Sequence, residues 1–153
     1  MTTPDVPLRM ELTFELPGTP EQVWDAIATA KGISAWMLRT DLDPRVGGDV
    51  TFHMGPDSAS HGKVTAYDAP TRLVYEEDVA TLLGKEQGEI SPLATEFVVE
   101  ATSGGTCIVR VVSSAFGHGA DWEREFFAQM VEGWAELLDQ LAAHLAGATS
   151  PAR

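Results

Sequence analysis

Residues 121–145, DWEREFFAQMVEGWAELLDQLAAHL, decide the architecture of this chain. Phe127, Met130, Val131, Trp134, Leu137, Leu138, Leu141 and Leu145 recur at steps of three and four, which places them on one stripe of a long helix. Glu123, Glu132, Glu136 and Asp139 fall mostly off that stripe. At about 1.5–3 kcal/mol for each fully buried large side chain, these eight residues correspond to roughly 12–24 kcal/mol of gross burial, before ordering entropy is subtracted. A single amphipathic helix closing a chain that otherwise reads as strands is expected to lie across a curved sheet. Function is then expected in the space between the two.

Working back from that helix, Leu8, Met10, Leu12, Phe14 and Leu16 alternate with Arg9, Glu11, Thr13 and Glu15, the pattern of a half-buried strand, and Pro17-Gly18 ends it. Thr19-Pro20-Glu21-Gln22 is a helix start, with Thr19 as N-cap, Pro20 at the first helical position and Gln22 placed to complete a capping box. Val23, Trp24, Ile27 and Ala28 form the inner face of a short helix; Gly32 breaks it, and Ile33 to Met37 make a second. Strands are expected near 39–44, 49–54, 61–67, 72–77, 94–101 and 106–114, with turns at Gly47-Gly48, Gly55–Ser60, Asp68–Thr71 and Ser103-Gly104-Gly105. Residues 78–92 have no clear period and contain Gly84, Gly88 and Pro92, so a lid or binding loop and a short surface helix both stay open. The expected class is α+β, with helices segregated from an antiparallel sheet. One domain over 8–146 follows, flanked by a loose N-terminus (1–7) and a flexible tail (147–153).

The net charge is −13 with a pI near 4.5, and the ten Lys and Arg residues are scattered. Phosphate backbones and anionic lipid surfaces repel such a chain, so neither nucleic acid nor membrane is expected as a partner. Cys107 stands alone and no charged-then-apolar leader opens the sequence; a cytoplasmic location is expected.

Several motifs point the same way when taken in order. They are Thr19–Ile27, Ile33–Met37, Asp43–Gly48, Gly62–Val64 running on to Asp68–Tyr75, and Glu132–Leu141. Together they resemble the START-like (SRPBCC) superfamily and, within it, homologues of the activator of heat-shock-protein-90 ATPase. The resemblance implies a helix-grip fold: two short helices after the first strand, and a seven-stranded antiparallel sheet curled around the C-terminal helix. It also implies a deep, largely apolar cavity. Because that superfamily hosts carriers, cyclases and chaperone activators without one catalytic motif, the fold alone does not assign an activity.

The chemistry carried by the residues is sparse. His53, His61, His118 and His144 lie far apart without zinc-ligand spacing, so no metal and no other cofactor is expected. His118, Asp121 and Glu125 could crowd one helix N-terminus, but Asp121 is better read as the helix cap. There is no nucleophile elbow, P-loop or dinucleotide fingerprint, and Cys107 reads as an inert buried thiol. Acid–base candidates are Arg39, His61, Tyr67, Tyr75, Glu76, Glu77 and Asp78, none of which is assigned a catalytic role. The absence of a recognisable nucleophile–base set favours binding over catalysis. The expected ligand is a small apolar or amphipathic molecule, touched by Trp36, Phe52, Tyr75, Phe116, Phe127, Met130 and Trp134. A cyclase- or hydrolase-type reaction in the same cavity, a chaperone partner met through the surface and a homodimer stay open.

Overall fold

A computed structural model describes residues 3–149. The elements follow in the order β1 (Val6–Pro17), α1 (Pro20–Ala28), α2 (Ala30–Trp36), β2 (Thr40–Leu42), β3 (Asp49–Gly55), β4 (Ser58–Asp68), β5 (Arg72–Glu77), α3 (Val79–Leu82), β6 (Leu93–Ala101), β7 (Thr106–Gly117) and α4 (Asp121–Thr149). The seven strands form one antiparallel sheet in the order β1-β7-β6-β5-β4-β3-β2. This is the α+β helix-grip architecture. Register shifts at His53/Gly55 and Val64/Ala66 interrupt the ladders of β3 and β4, the kind of irregularity that bends a sheet.

Local chemistry explains the helical starts. The Thr19 backbone N–H donates to Gln22 Oε1 at 2.9 Å, and the Gln22 N–H donates back to Thr19 Oγ1 at 3.2 Å, which completes the capping box. Two long side chains then stitch this helical pair together and to the sheet. Trp36 Nε1 donates to the Ala26 carbonyl at 2.8 Å, and the Tyr67 hydroxyl donates to the Ala28 carbonyl at 3.0 Å while its ring meets Trp24 edge-on.

Helix α4 differs from its expected form in an instructive way. Phe127, Leu138, Leu141 and Leu145 are buried, whereas Met130, Trp134 and Leu137 are half-buried and Val131 is exposed. Four fully buried residues correspond to roughly 6–12 kcal/mol of gross burial, about half the expected figure. The middle of the stripe faces a cavity instead of packed side chains. Asp121 is the first helical residue, not the cap, and Glu123 supplies the capping chemistry from inside the helix: its carboxylate accepts the backbone N–H groups of His118 and Gly119.

Two boundaries also move, and the open segment 78–92 takes a definite form. Strand β1 begins at Val6, paired with Gly117, so part of the expected loose terminus belongs to the sheet. Helix α4 continues to Thr149 through the first residues of the expected tail; residues 1–2 and 150–153 lie outside the described residues. The segment 78–92 holds the short helix α3 and contributes Val79, Ala80 and Ile90 to the core. It is fastened at several points: Asp78 caps α3, Lys85 Nζ lies 4.6 Å from the centre of the Trp122 ring, and His118 Nε2 meets the Gly88 carbonyl at 3.0 Å. Of the two readings left open for this segment, it holds the short helix, and that helix packs into the core as well as meeting the surface.

Candidate functional site

Strand alternation builds the site. On β5 Leu73, Tyr75 and Glu77 point inward while Arg72, Val74 and Glu76 point outward. Phe52 of β3, Ser60 and Val64 of β4, and Leu93, Thr95 and Phe97 of β6 share that inner face. Met130, Trp134 and Leu137 of α4 cover it from above. The two surfaces leave a cavity of about 300 Å³, walled by Phe52, Tyr75, Thr95, Met130 and Trp134, with Met37 and Leu38 from the link after α2 and Val79 from α3. Met54 and Leu82, also in the lining, are 46% and 38% exposed, so the cavity reaches the surface beside them.

A chain of rings runs from the sheet to the helix. Phe52 and Tyr75 have centroids 5.4 Å apart, Tyr75 and Phe97 6.2 Å, and Phe97 and Trp134 5.5 Å with planes at 74°. Tilted and edge-on contacts of this kind are the favoured geometry for aromatic pairs.

One stretch of the wall, formed by Tyr75, Glu77 and Thr95, is polar, and the buried Ser60 and Ser113 stand behind it. The Ser60 hydroxyl donates to Glu77 Oε2, and Thr95 Oγ1 lies 3.3 Å from Ser113 Oγ. Burial pushes the Glu77 carboxyl above the ordinary glutamate range, against the opposing pull of the Ser60 hydrogen bond. Burial also pushes the Tyr75 hydroxyl well up, and the neighbouring charge of Glu77 adds to it. Among the described residues no fully buried side-chain N or O lacks a partner. Glu77 Oε1 accepts no hydrogen bond from any of them, so it must reach open space.

The seven residues expected at the site separate into two groups. Phe52, Tyr75, Met130 and Trp134 meet at the cavity. Trp36 lines only a residual void of about 10 Å³, at the lower limit for holding a water. Phe127 is buried against Phe126, with ring centroids 5.6 Å apart, away from the cavity. Phe116 is 51% exposed on the outer face of β7. Its misplacement has a plain cause: Thr106–Gly117 is apolar at both parities (Ile108 and Val112 beside Cys107, Val109 and Val111), so the buried face cannot be read from pattern.

Of the acid–base candidates, only Tyr75 and Glu77 face the cavity. Glu76, His61 and Arg39 are exposed, Asp78 caps α3 and Tyr67 is engaged with Ala28. Sequence reasoning passed over Ser60, Thr95 and Ser113 as site residues. Thr95 carried a signal, since it interrupts the inward series Leu93, Phe97, Val99 with a hydroxyl. Among the described residues, no group of three or more His, Cys, Asp or Glu stands close enough together to hold a metal ion.

A seven-stranded sheet gripping a long helix over an apolar cavity defines a START-like (SRPBCC) protein. Residues 17–146 match the family described as activator of Hsp90 ATPase homolog 1-like protein, and the chain belongs to that family. No curated protein matches it in sequence. Solved structures resemble it closely in fold. Protein MLL2253 of Mesorhizobium loti superposes with a TM-score of 0.78 at 20% identity, over 94% of this chain and 100% of that one. The Aha1 dimer of Colwellia psychrerythraea gives 0.70 at 19% identity, over 90% and 96%. Norcoclaurine synthase of Thalictrum flavum, solved with dopamine and hydroxybenzaldehyde, gives 0.68 at 11% identity, over 95% and 90%. At such identities the likeness is one of fold.

Proposed function

We propose that this protein binds a small apolar or amphipathic molecule in the cavity between its sheet and α4. The observation that carries the reading is the cavity of about 300 Å³ itself, walled by aromatic and methionine side chains where the apolar stripe of α4 would otherwise be fully packed. That volume is at the small end of ligand pockets, and rings with a few placed polar groups are their usual lining. Norcoclaurine synthase, whose structure holds two small aromatic molecules, supports the view that this fold accommodates such ligands. The lone reduced Cys107 supports a cytoplasmic setting, and no helix of the described residues is long and apolar enough to cross a membrane.

Native mass spectrometry of protein purified from its source should find a co-purifying small molecule. A panel of hydrophobic probes, fatty acids and aromatic polyketides should raise the melting temperature, because a ligand that binds only the native state stabilises it by mass action. Met130→Trp fills the cavity and should abolish the response in a folded protein. No co-purifying molecule and no thermal shift across the panel would defeat the proposal.

A second reading, catalysis of the cyclase or hydrolase type, is favoured by one observation: Tyr75 and Glu77 are titratable groups on the cavity wall. Turnover of a bound molecule, lost in Glu77→Gln without loss of binding, would establish it. Homodimerisation and a chaperone partner are further proposals, supported by the Aha1 dimer neighbour and by family membership. Light scattering and pull-down with Hsp90 test them.

A further inference from the structure

The cavity is apolar and hydroxyl-lined except for one carboxyl. No Lys, Arg or His lines it, so Glu77 has no cationic partner there. Glu77 is half-buried, a carboxylate withdrawn from water is normally paired, and the single donor Ser60 satisfies Oε2 alone. Oε1 is left without a protein donor. Glu77 itself lines the cavity, alongside Thr95 and Tyr75. The rings of Phe52, Tyr75 and Trp134 form the nearby wall.

We infer that Glu77 anchors the ligand and that the ligand is an organic cation, an apolar ring-bearing body carrying one ammonium group; this rests on the cavity reading above. An ammonium supplies the hydrogen-bond donor that Oε1 lacks and neutralises the charge that burial penalises. Aromatic faces beside it add attraction for a cation and none for an anion. A carboxylate or phosphate would meet Glu77 with like charge. A neutral alcohol would gain one hydrogen bond without charge compensation. A metal ion would need several ligands, and no such group is present among the described residues. The net charge of −13 draws cations toward the molecule and disfavours anions.

The test uses three probes of one shape: 3-phenylpropylamine, 3-phenylpropan-1-ol and 3-phenylpropanoate. Each is titrated calorimetrically at neutral pH into the full chain and into Glu77→Gln and Met130→Trp. In the wild type the amine should bind at least about tenfold more tightly than the alcohol, with the carboxylate weakest. Glu77→Gln should bring the amine to the level of the alcohol and leave the alcohol unchanged, and Met130→Trp should lose both. Should Glu77→Gln fail to fold, the wild-type ranking alone decides. Equal binding of amine and alcohol, or tightest binding of the carboxylate, overturns the anchor while leaving the cavity reading intact. Amine binding that survives Met130→Trp places the contact elsewhere and also overturns it. Failure of all three probes to bind the wild type counts against the cavity reading as well.

Discussion

The α-carbon of Gly117 rests against the carboxylate of Glu123, so closely that a β-carbon there would lie 2.2 Å from Oε1. Gly117 ends β7 and Glu123 sits in the first turn of α4. The carboxylate, in a residue only 1% exposed, accepts the His118 N–H at 2.9 Å and the Gly119 N–H at 3.0 Å. These contacts tie the first turn of α4 to the end of β7.

Glu123→Ala should destabilise the fold by roughly 1–3 kcal/mol, the usual range when buried donors lose a charged partner. Gly117→Ala should be destabilising too, since the new methyl displaces the carboxylate. Denaturant titration of both variants checks this; a loss well under about 0.5 kcal/mol in each would show that the corner is not what holds α4.

Leu141 and Trp134 lie on the same stripe but should respond differently to truncation. Leu141→Ala removes a fully buried side chain and should cost roughly 2–5 kcal/mol. Trp134 is half-buried beside the cavity, so Trp134→Ala enlarges an existing space and should fall below the roughly 3–5 kcal/mol of a core aromatic. Chemical denaturation of the pair gives the ranking, and a larger loss from Trp134→Ala would place that side chain in the packed core.

Glu77 should make the ligand-free protein less stable as pH rises. The unfolded carboxyl loses its proton in the ordinary glutamate range, while burial lets the native carboxyl keep it to higher pH. Between those two values stability falls, and above the native value the full penalty is present. Glu77→Gln should therefore be more stable than wild type at neutral pH, with the difference shrinking as the solution is acidified through that window. Tyr75 and Ser60 remain in both proteins, which isolates the carboxyl in the comparison. Paired urea titrations along a pH series read it, and a pH-independent difference would contradict the assignment.

Cys107 should label slowly in the native state. It is buried on β7, its thiol donates to the Gly18 carbonyl at 3.4 Å, and burial pushes its pKa up, with the charge of Glu21 adding to the shift. Labelling by a thiol reagent should be near stoichiometric in denaturant and strongly suppressed without it. Rapid native labelling would mean that the β1–β7 edge opens readily.

The long apolar stripe of 121–145, the alternation of Leu8–Leu16 and the Thr19–Gln22 capping box were legible without coordinates, because each depends on neighbours within a turn or two of the chain. With the ordered motifs around Trp24, Gly47-Gly48 and Trp134 they determined the helix-grip architecture, its seven strands and its family. Only the tertiary structure decided which face of the doubly apolar strand β7 turns inward, and this is why Phe116 lies outside while Ser113 lies within. It also decided that Met130, Trp134 and Leu137 border space while Leu138 and Leu141 are packed, a distinction set by sheet curvature and the height of α4. Glu77 looked like its exposed neighbours Glu76 and Asp78 in the sequence. Its burial, its Ser60 partner and its unmatched Oε1 arise from strands that meet across the sheet, and no local pattern encodes them.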